Sequence, residues 1–227
     1  VILTAHQPAY LPWLGYFAKM AAADAFVLHD LSRFDRGGTV NRNKIRTANG
    51  PEWLTVPVSH TDLRAEHTLD VVEVVDDGWR RRHWKAIQMA YRRAPYFDEH
   101  ADFLADYYAR PYRTITEACL PFTEYCMRQL GLERPLWRSS ELGLGDFDRT
   151  SVIPALSEKF SAHTFLAGVH ARDYLEWDRI TGVRVEIFEY RHPVYPQMHG
   201  GFESHLSVLD LLMNCGPDSR SIVKGTE

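Results

Sequence analysis

Apolar residues follow two rhythms along this chain. Short runs rich in β-branched and aromatic residues, ILTA (2–5), AFVLHD (25–30), WLTVPV (53–58), LDVVEVV (69–75), TFLAG (164–168) and VRVEIFEY (183–190), have the length and composition of strands. Elsewhere apolar side chains recur every three or four positions, the helical period. Residues 11–23 (LPWLGYFAKMAAA) predict a short helix, and Trp84, Ile87 and Tyr91 mark a second. Leu104, Tyr107 and Tyr108, then Ile115, Ala118, Phe122 and Tyr125, extend the pattern to Gly131, a candidate C-cap. A further helix opens at SVIPALSEKF (151–160), with Ser151 as candidate N-cap and Pro154 in the first turn. The last, in ESHLSVLDLLMNCG (203–216), is closed by Gly216. The stretch 31–50 reads as loop, broken by Gly37, Gly38, Asn49 and Gly50.

Strands near both ends and a helical block near residues 79–131 predict an α/β fold: a mixed or parallel sheet with flanking helices. No repeat or flexible linker interrupts residues 1–227, so a single domain is expected. A composition 45% hydrophobic and 25% charged supports a substantial core. The net charge of −4 is mild and shows no basic stripe, which argues against nucleic-acid binding. No apolar run approaches the ~20 residues of a membrane span, and no signal-peptide pattern is visible. The three cysteines, Cys119, Cys126 and Cys215, lack CxxC spacing, which suits reduced thiols in a cytoplasm. Cys119 and Cys126 read as packing residues; Cys215, just after an apolar helix, is a candidate exposed thiol.

The densest chemistry lies in HQPAYLPWLGYF (6–17), directly after the first strand. Strand-to-helix crossovers are where open α/β sheets place ligands. Pro8 and Pro12 stiffen the loop. His6 is then a candidate acid/base or ligand donor, Gln7 a polar anchor, and Tyr10 and Trp13 either packing or pocket wall. Asp30 ends the second strand, where it either holds the imidazole or serves a turn. NRNKIR (41–46) places Arg42, Lys44 and Arg46 at alternate positions. If extended, all three point one way and suit a phosphate, pyrophosphate or carboxylate; otherwise they form a solvated basic loop. His83 and Lys85 in WRRRHWK form either a solvated face or an anion-binding edge. YRHPVYPQMHGGF (190–202) echoes the opening with His192, Tyr195 and Gln197. Asp210, inside an apolar helix, needs a partner, as a structural ion pair or as an active-site carboxylate. The 11 histidines show no HExxH or other compact ligand spacing, so no metal site is expected. Walker A, GxGxxG and GxSxG motifs are absent.

In order, HQPAYLPWLGYFAKM, AFVLHD, NRNKIR, WLTVPV, WRRRHWKAIQMAYRRAPYF and EYRHPVYPQMHGGFESHLSVLDLLMNCG resemble the WbqC-like family, from residue 3 to about 216. The resemblance implies a cytoplasmic bacterial protein of O-antigen, other polysaccharide or natural-product pathways. It also implies transfer of an amino acid onto an amino sugar to form an amide. His6, Gln7, Pro8, Tyr10, Trp13, Asp30, Asn41, Arg42, His192, Tyr195 and Asp210 occupy the motif positions. Two departures stand out: AGVHARDYL (167–175) brings His170 and Arg172 where relatives are glycine-rich, and NCG lacks the family's acidic residue, which argues against Cys215 as a shared nucleophile.

These features lead to the expectation of an aminoacyl or acyl transferase. His6, Asp30 and Asp210 are the catalytic candidates; Gln7, Tyr10, Trp13, Asn41, Arg42, Lys44, His83, His192 and Tyr195 are the substrate-binding candidates. No cofactor is fixed by the motifs; CoA or a pantetheine thioester is the candidate donor. A small-molecule amine, a sugar nucleotide or an acyl carrier protein is the expected partner, with no nucleic acid and no membrane. The alternatives are an ATP-dependent carboxylate-activating enzyme and a non-catalytic module that binds a sugar nucleotide or carrier protein.

Overall fold

Strand β1 (Ile2–His6) has neighbours on both edges, which is why Leu3 and Thr4 are fully buried and why so little of it is polar. The computed structural model describes residues 1–35, 37–145 and 147–225. After β1 come α1 (Leu14–Ala21), β2 (Ala25–Leu28), β3 (Arg42–Thr47), β4 (Gly50–Thr55) and α2 (His60–Arg64). A helical block follows, α3 (Trp79–Tyr91), α4 (Phe97–Ala109) and α5 (Ile115–Gln129), and then β5 (Leu136–Arg138). The chain ends with α6 (Val152–Lys159), β6 (Thr164–Gly168), α7 (Ala171–Tyr174), β7 (Arg184–Phe188), α8 (Val208–Cys215) and α9 (Ser219–Lys224).

Five strands form one sheet in the order β5-β2-β1-β6-β7, and every pairing is parallel. The chain builds outward from β1 through β2 to β5, then returns to the other side of β1 as β6 and β7. The order therefore reverses between β1 and β6, the position at which such sheets form a crevice beyond the strands' carboxyl ends. Alternate residues divide the core between the two faces. Phe26 and Leu28 join the larger core with α1, the helical block and α8, whereas Leu3, Ala25 and Val27 pack with Val152, Ile153 and Leu156 of α6.

Several expectations shift. The stretch 31–50 is only partly loop: β3 and β4 pair antiparallel as a separate ribbon, with Lys44 opposite Trp53. Asn43 and Ile45 turn into the core while Arg42, Lys44 and Arg46 alternate with them, so the polar composition hid the strand. LDVVEVV forms no regular strand, only the isolated bridges Val58–Val74 and Glu73–Thr114, while Leu69 and Val72 supply core. Ser151 does not cap α6. Asp148 does so, its Oδ1 accepting the backbone N–H groups of Thr150 at 2.9 Å and Ser151 at 2.8 Å. Cys215 is buried rather than exposed, and burial pushes its thiol up to about 11. The predicted α/β class, parallel sheet and helical block are all present.

Candidate functional site at the carboxyl edge of β1

Three segments far apart in sequence meet where β1 ends. The backbone of Trp13 bridges Ser207, whose N–H donates to the carbonyl of Lys44 at 2.9 Å. Val208 donates to Pro12 O at 2.8 Å, and the Asn43 amide donates to Leu11 O at 2.7 Å. The proline-stiffened opening, the basic ribbon and the loop before α8 thus share one frame. Leu11 sits at φ 47°, a left-handed conformation costly for a branched residue and held here by the Asn43 bond. Gly15 is required by close approach: a Cβ there would lie 2.8 Å from Trp13 Nε1 and 2.9 Å from the Tyr190 ring.

His6 ends β1 with its ring edge-on to Trp13 (centroids 5.2 Å) and tilted against Tyr16 (4.8 Å). Its Nδ1 lies 3.0 Å from Gln7 O. A carbonyl only accepts, so Nδ1 carries the proton and Nε2 presents a lone pair, which has no partner among the described residues. Burial, and next the charge of Lys19, hold its pKa down to about 3, so the ring is neutral. Gln7 anchors the loop through Nε2 to Arg33 O at 3.1 Å.

The two carboxylates are tied elsewhere. Asp30 is fully buried and accepts four hydrogen bonds: Arg138 Nε (2.9 Å), Ser139 Oγ (2.9 Å), Ser140 N (2.9 Å) and Ser140 Oγ (2.7 Å). It therefore fixes β5 and the turn after it, while the backbone of Gln7 sets the orientation of His6. Asp210 is also buried and accepts from Tyr91 Oη (2.9 Å), Tyr195 Oη (3.0 Å) and Gln197 Nε2 (2.8 Å). Burial raises its pKa even though these donors and the charge of Arg46 pull the other way.

Tyr10 Oη lies 2.8 Å from His83 Nδ1 and 2.7 Å from Tyr108 Oη, a buried network that ties the opening to the helical block. Burial holds His83 down to about 4. The Asn41 amide donates to Val56 O at 2.8 Å. Arg42 lies over the Trp53 ring at 4.8 Å with Lys44 5.8 Å from the same ring, and Trp53 is 50% exposed. Arg46 instead turns to the other loop, donating to Gly200 O at 2.9 Å. Both nitrogens of His192 are committed: Nδ1 donates to Pro193 O at 2.8 Å, and Nε2 accepts the N–H of His205 at 3.1 Å. Tyr195 stacks on that ring.

The frame therefore joins His6, packed on Trp13, to the ribbon at Lys44 through the Trp13–Ser207 bridge, with His192 held by His205 just before that bridge and Arg42 two residues along the ribbon against Trp53. It leaves Tyr10 and His83 in the core below, and it uses Asp30, Asp210, Asn41 and Tyr195 as internal braces. Sequence reasoning missed Lys19 and Arg138. A lone lysine inside the apolar run YFAKMAAA was the available signal for Lys19; nothing local marks Arg138. His170 and Arg172 stand on the surface in exposed pairs with Asp173 (3.7 Å) and Glu189 (2.8 Å). Concavities of about 350 Å³ between α3 and α4 and about 400 Å³ beside α6 lie apart from this edge. Among the described residues no group of three or more His, Cys, Asp or Glu is placed to hold a metal, and no helix is long and apolar enough to cross a membrane.

Fold and site define an α/β protein with a preorganised histidine at the crevice position of a parallel sheet. The chain belongs to the WbqC-like protein family, whose pattern matches residues 7–222. It is 32% identical over 220 residues to an uncharacterized protein, Rv1507c, of Mycobacterium tuberculosis (strain ATCC 25618 / H37Rv), covering 94% of this chain and 93% of that one. No solved structure matches it.

Proposed function

We propose that this protein is a cytoplasmic aminoacyl or acyl transferase that forms an amide on an amino sugar or related amine, in polysaccharide or natural-product biosynthesis. The observation that carries the reading is the neutral His6 ring, fixed by Gln7 O with its Nε2 lone pair unpartnered among the described residues, and packed on Trp13, whose backbone joins through Ser207 to the ribbon that carries Arg42 and Lys44. A thioester donor, from CoA or a carrier-bound pantetheine, suits the basic ribbon through its phosphates. The amine attacks the acyl carbon directly, so no enzyme nucleophile is needed. That agrees with three buried cysteines whose thiols burial pushes up.

In this step the C–N bond forms, and the adduct's acidic N–H passes its proton to His6 Nε2. The C–S bond then breaks, and the same proton goes to the departing thiolate. Burial keeps the ring neutral, so the Nε2 lone pair is free to take that proton and pass it on. Incubation with acyl-CoA or pantetheine thioesters and dTDP- or UDP-amino sugars, followed by mass spectrometry of the amide and assay of free thiol, tests the reading. Stoichiometric amide and thiol support it; thioesters left intact with every amine refute it.

A second reading rests on strand order. The sheet diverges from β1, and the loop from His6 to the start of α1 occupies the place where such sheets bind nucleotides. An ATP-dependent, carboxylate-activating enzyme would use that position, and AMP release during turnover would decide for it.

A further inference from the structure

Lys19 is a buried ammonium with no counter-ion among the described residues. It projects from α1 to the tip of β1, where Nζ donates to Ala5 O at 2.9 Å. An ammonium has three donors. Among the described residues it has this one acceptor and no carboxylate within 4.0 Å. The surrounding run, Tyr16, Phe17, Ala18 and Met20, is wholly buried, so an apolar side chain would satisfy packing at lower cost. Burial draws Lys19 down to about 8, and its charge in turn depresses His6. The tip of β1 thus holds a cationic group with spare donors on the carbonyl of the residue before His6. His6 itself packs on Tyr16 of the same helix with an Nε2 lone pair unpartnered among the described residues, next to the point where the strand order reverses.

We propose that Lys19 and His6 together bind an oxyanion flanked by an N–H group: in amide formation, the acyl oxygen that gains negative charge beside the attacking amine. This rests on the transferase reading and names what holds each end of its reacting centre. As the C–N bond forms, the charge growing on oxygen meets Lys19 Nζ while the amine proton moves to His6 Nε2. Collapse of the adduct breaks the C–S bond and returns the charge from oxygen to the departing sulfur. Lys19 keeps its proton throughout. Arg42 and Lys44, on the neighbouring ribbon, are left for the distant phosphates.

The test uses the full chain with sodium acetate and inorganic phosphate as separate probes, at constant ionic strength and a pH of about 7. NMR follows the Lys19 side-chain nitrogen and the His6 ring. Saturable movement of both signals by acetate in the unaltered protein is expected. Lys19→Met should weaken acetate binding at least tenfold, and Lys19→Arg should retain most of it. Absence of a saturable Lys19 shift with either anion overturns the proposal and requires no variant. Unchanged acetate binding in folded Lys19→Met overturns it as well, and a response to phosphate alone overturns the assignment to an acyl oxygen. Anion binding without amide formation would sink the transferase reading alone; amide formation with no anion response would sink this site alone.

Discussion

The tip of β1 and the base of the loop before α8 are both rich in histidine and tyrosine, yet they treat polar groups in opposite ways. Around Asp210 both carboxylate oxygens are matched: Tyr91 accepts from Arg46 N and donates to Oδ1, and Tyr195 and Gln197 donate to Oδ2, although the buried Arg46 Nε nearby has no partner among the described residues. At the tip, among the described residues, His6 keeps a lone pair and Lys19 keeps donors in reserve. Satisfied networks rigidify and position; incomplete ones leave capacity for something the chain does not itself supply. By that contrast Asp210 and Asp30 are braces, and His6 is the group that the proposed transferase reading would use.

The sharpest way to break the contrast is to remove a brace. Asp210→Ala leaves two buried phenols and an amide without their acceptor. It should cost about 3–5 kcal/mol of stability, read from urea unfolding. Asp210→Asn should cost far less, since burial already favours the uncharged carboxyl. A loss under about 1 kcal/mol for the alanine variant would show that the network is not structural. Gly15→Ala drives a methyl into Trp13 and Tyr190 and should cost about 1–3 kcal/mol, with reduced ligand binding at the edge.

Acid should act on the tip and on the core beneath it. His6 is held to about 3 and His83 to about 4, below the ordinary value of about 6.5. Between those limits the unfolded chain binds more protons than the folded one. Their contribution is therefore complete above about pH 6.5 and is lost as pH falls toward 3 to 4. Asp210, with its raised carboxyl, works in the opposite sense and moderates the loss. Urea midpoints at neutral and acidic pH should converge in a His6→Gln, His83→Gln double variant compared with wild type. The smallest stability effect belongs to Arg42→Ala on the ribbon, about 0.5 kcal/mol or less, with a clear loss of thermal stabilisation by CoA thioesters.

The sheet was largely readable from sequence because parallel strands, buried on both faces, declare themselves as apolar runs: TFLAG coincides with β6, and ILTA with nearly all of β1. β3 was not, since its outward residues are basic and its inward ones few. β5 is three residues long, too short for periodicity to register. His6 was legible because a polar His-Gln pair before Pro8 at a strand's end is an odd choice for pure packing. The partners of Asp30 were not: Arg138 lies 108 residues away, and no local pattern encodes that pairing. Lys19 was hidden by its neighbours, whose apolar rhythm describes the helix and not the charge within it.

The most direct measurement compares wild type with His6→Gln for amide formation from a thioester donor and an amino-sugar acceptor, alongside thermal unfolding. The account predicts turnover reduced about 100- to 10,000-fold, with KM little changed and unfolding shifted by only a few degrees. Turnover within about threefold of wild type in a folded His6→Gln protein would contradict it.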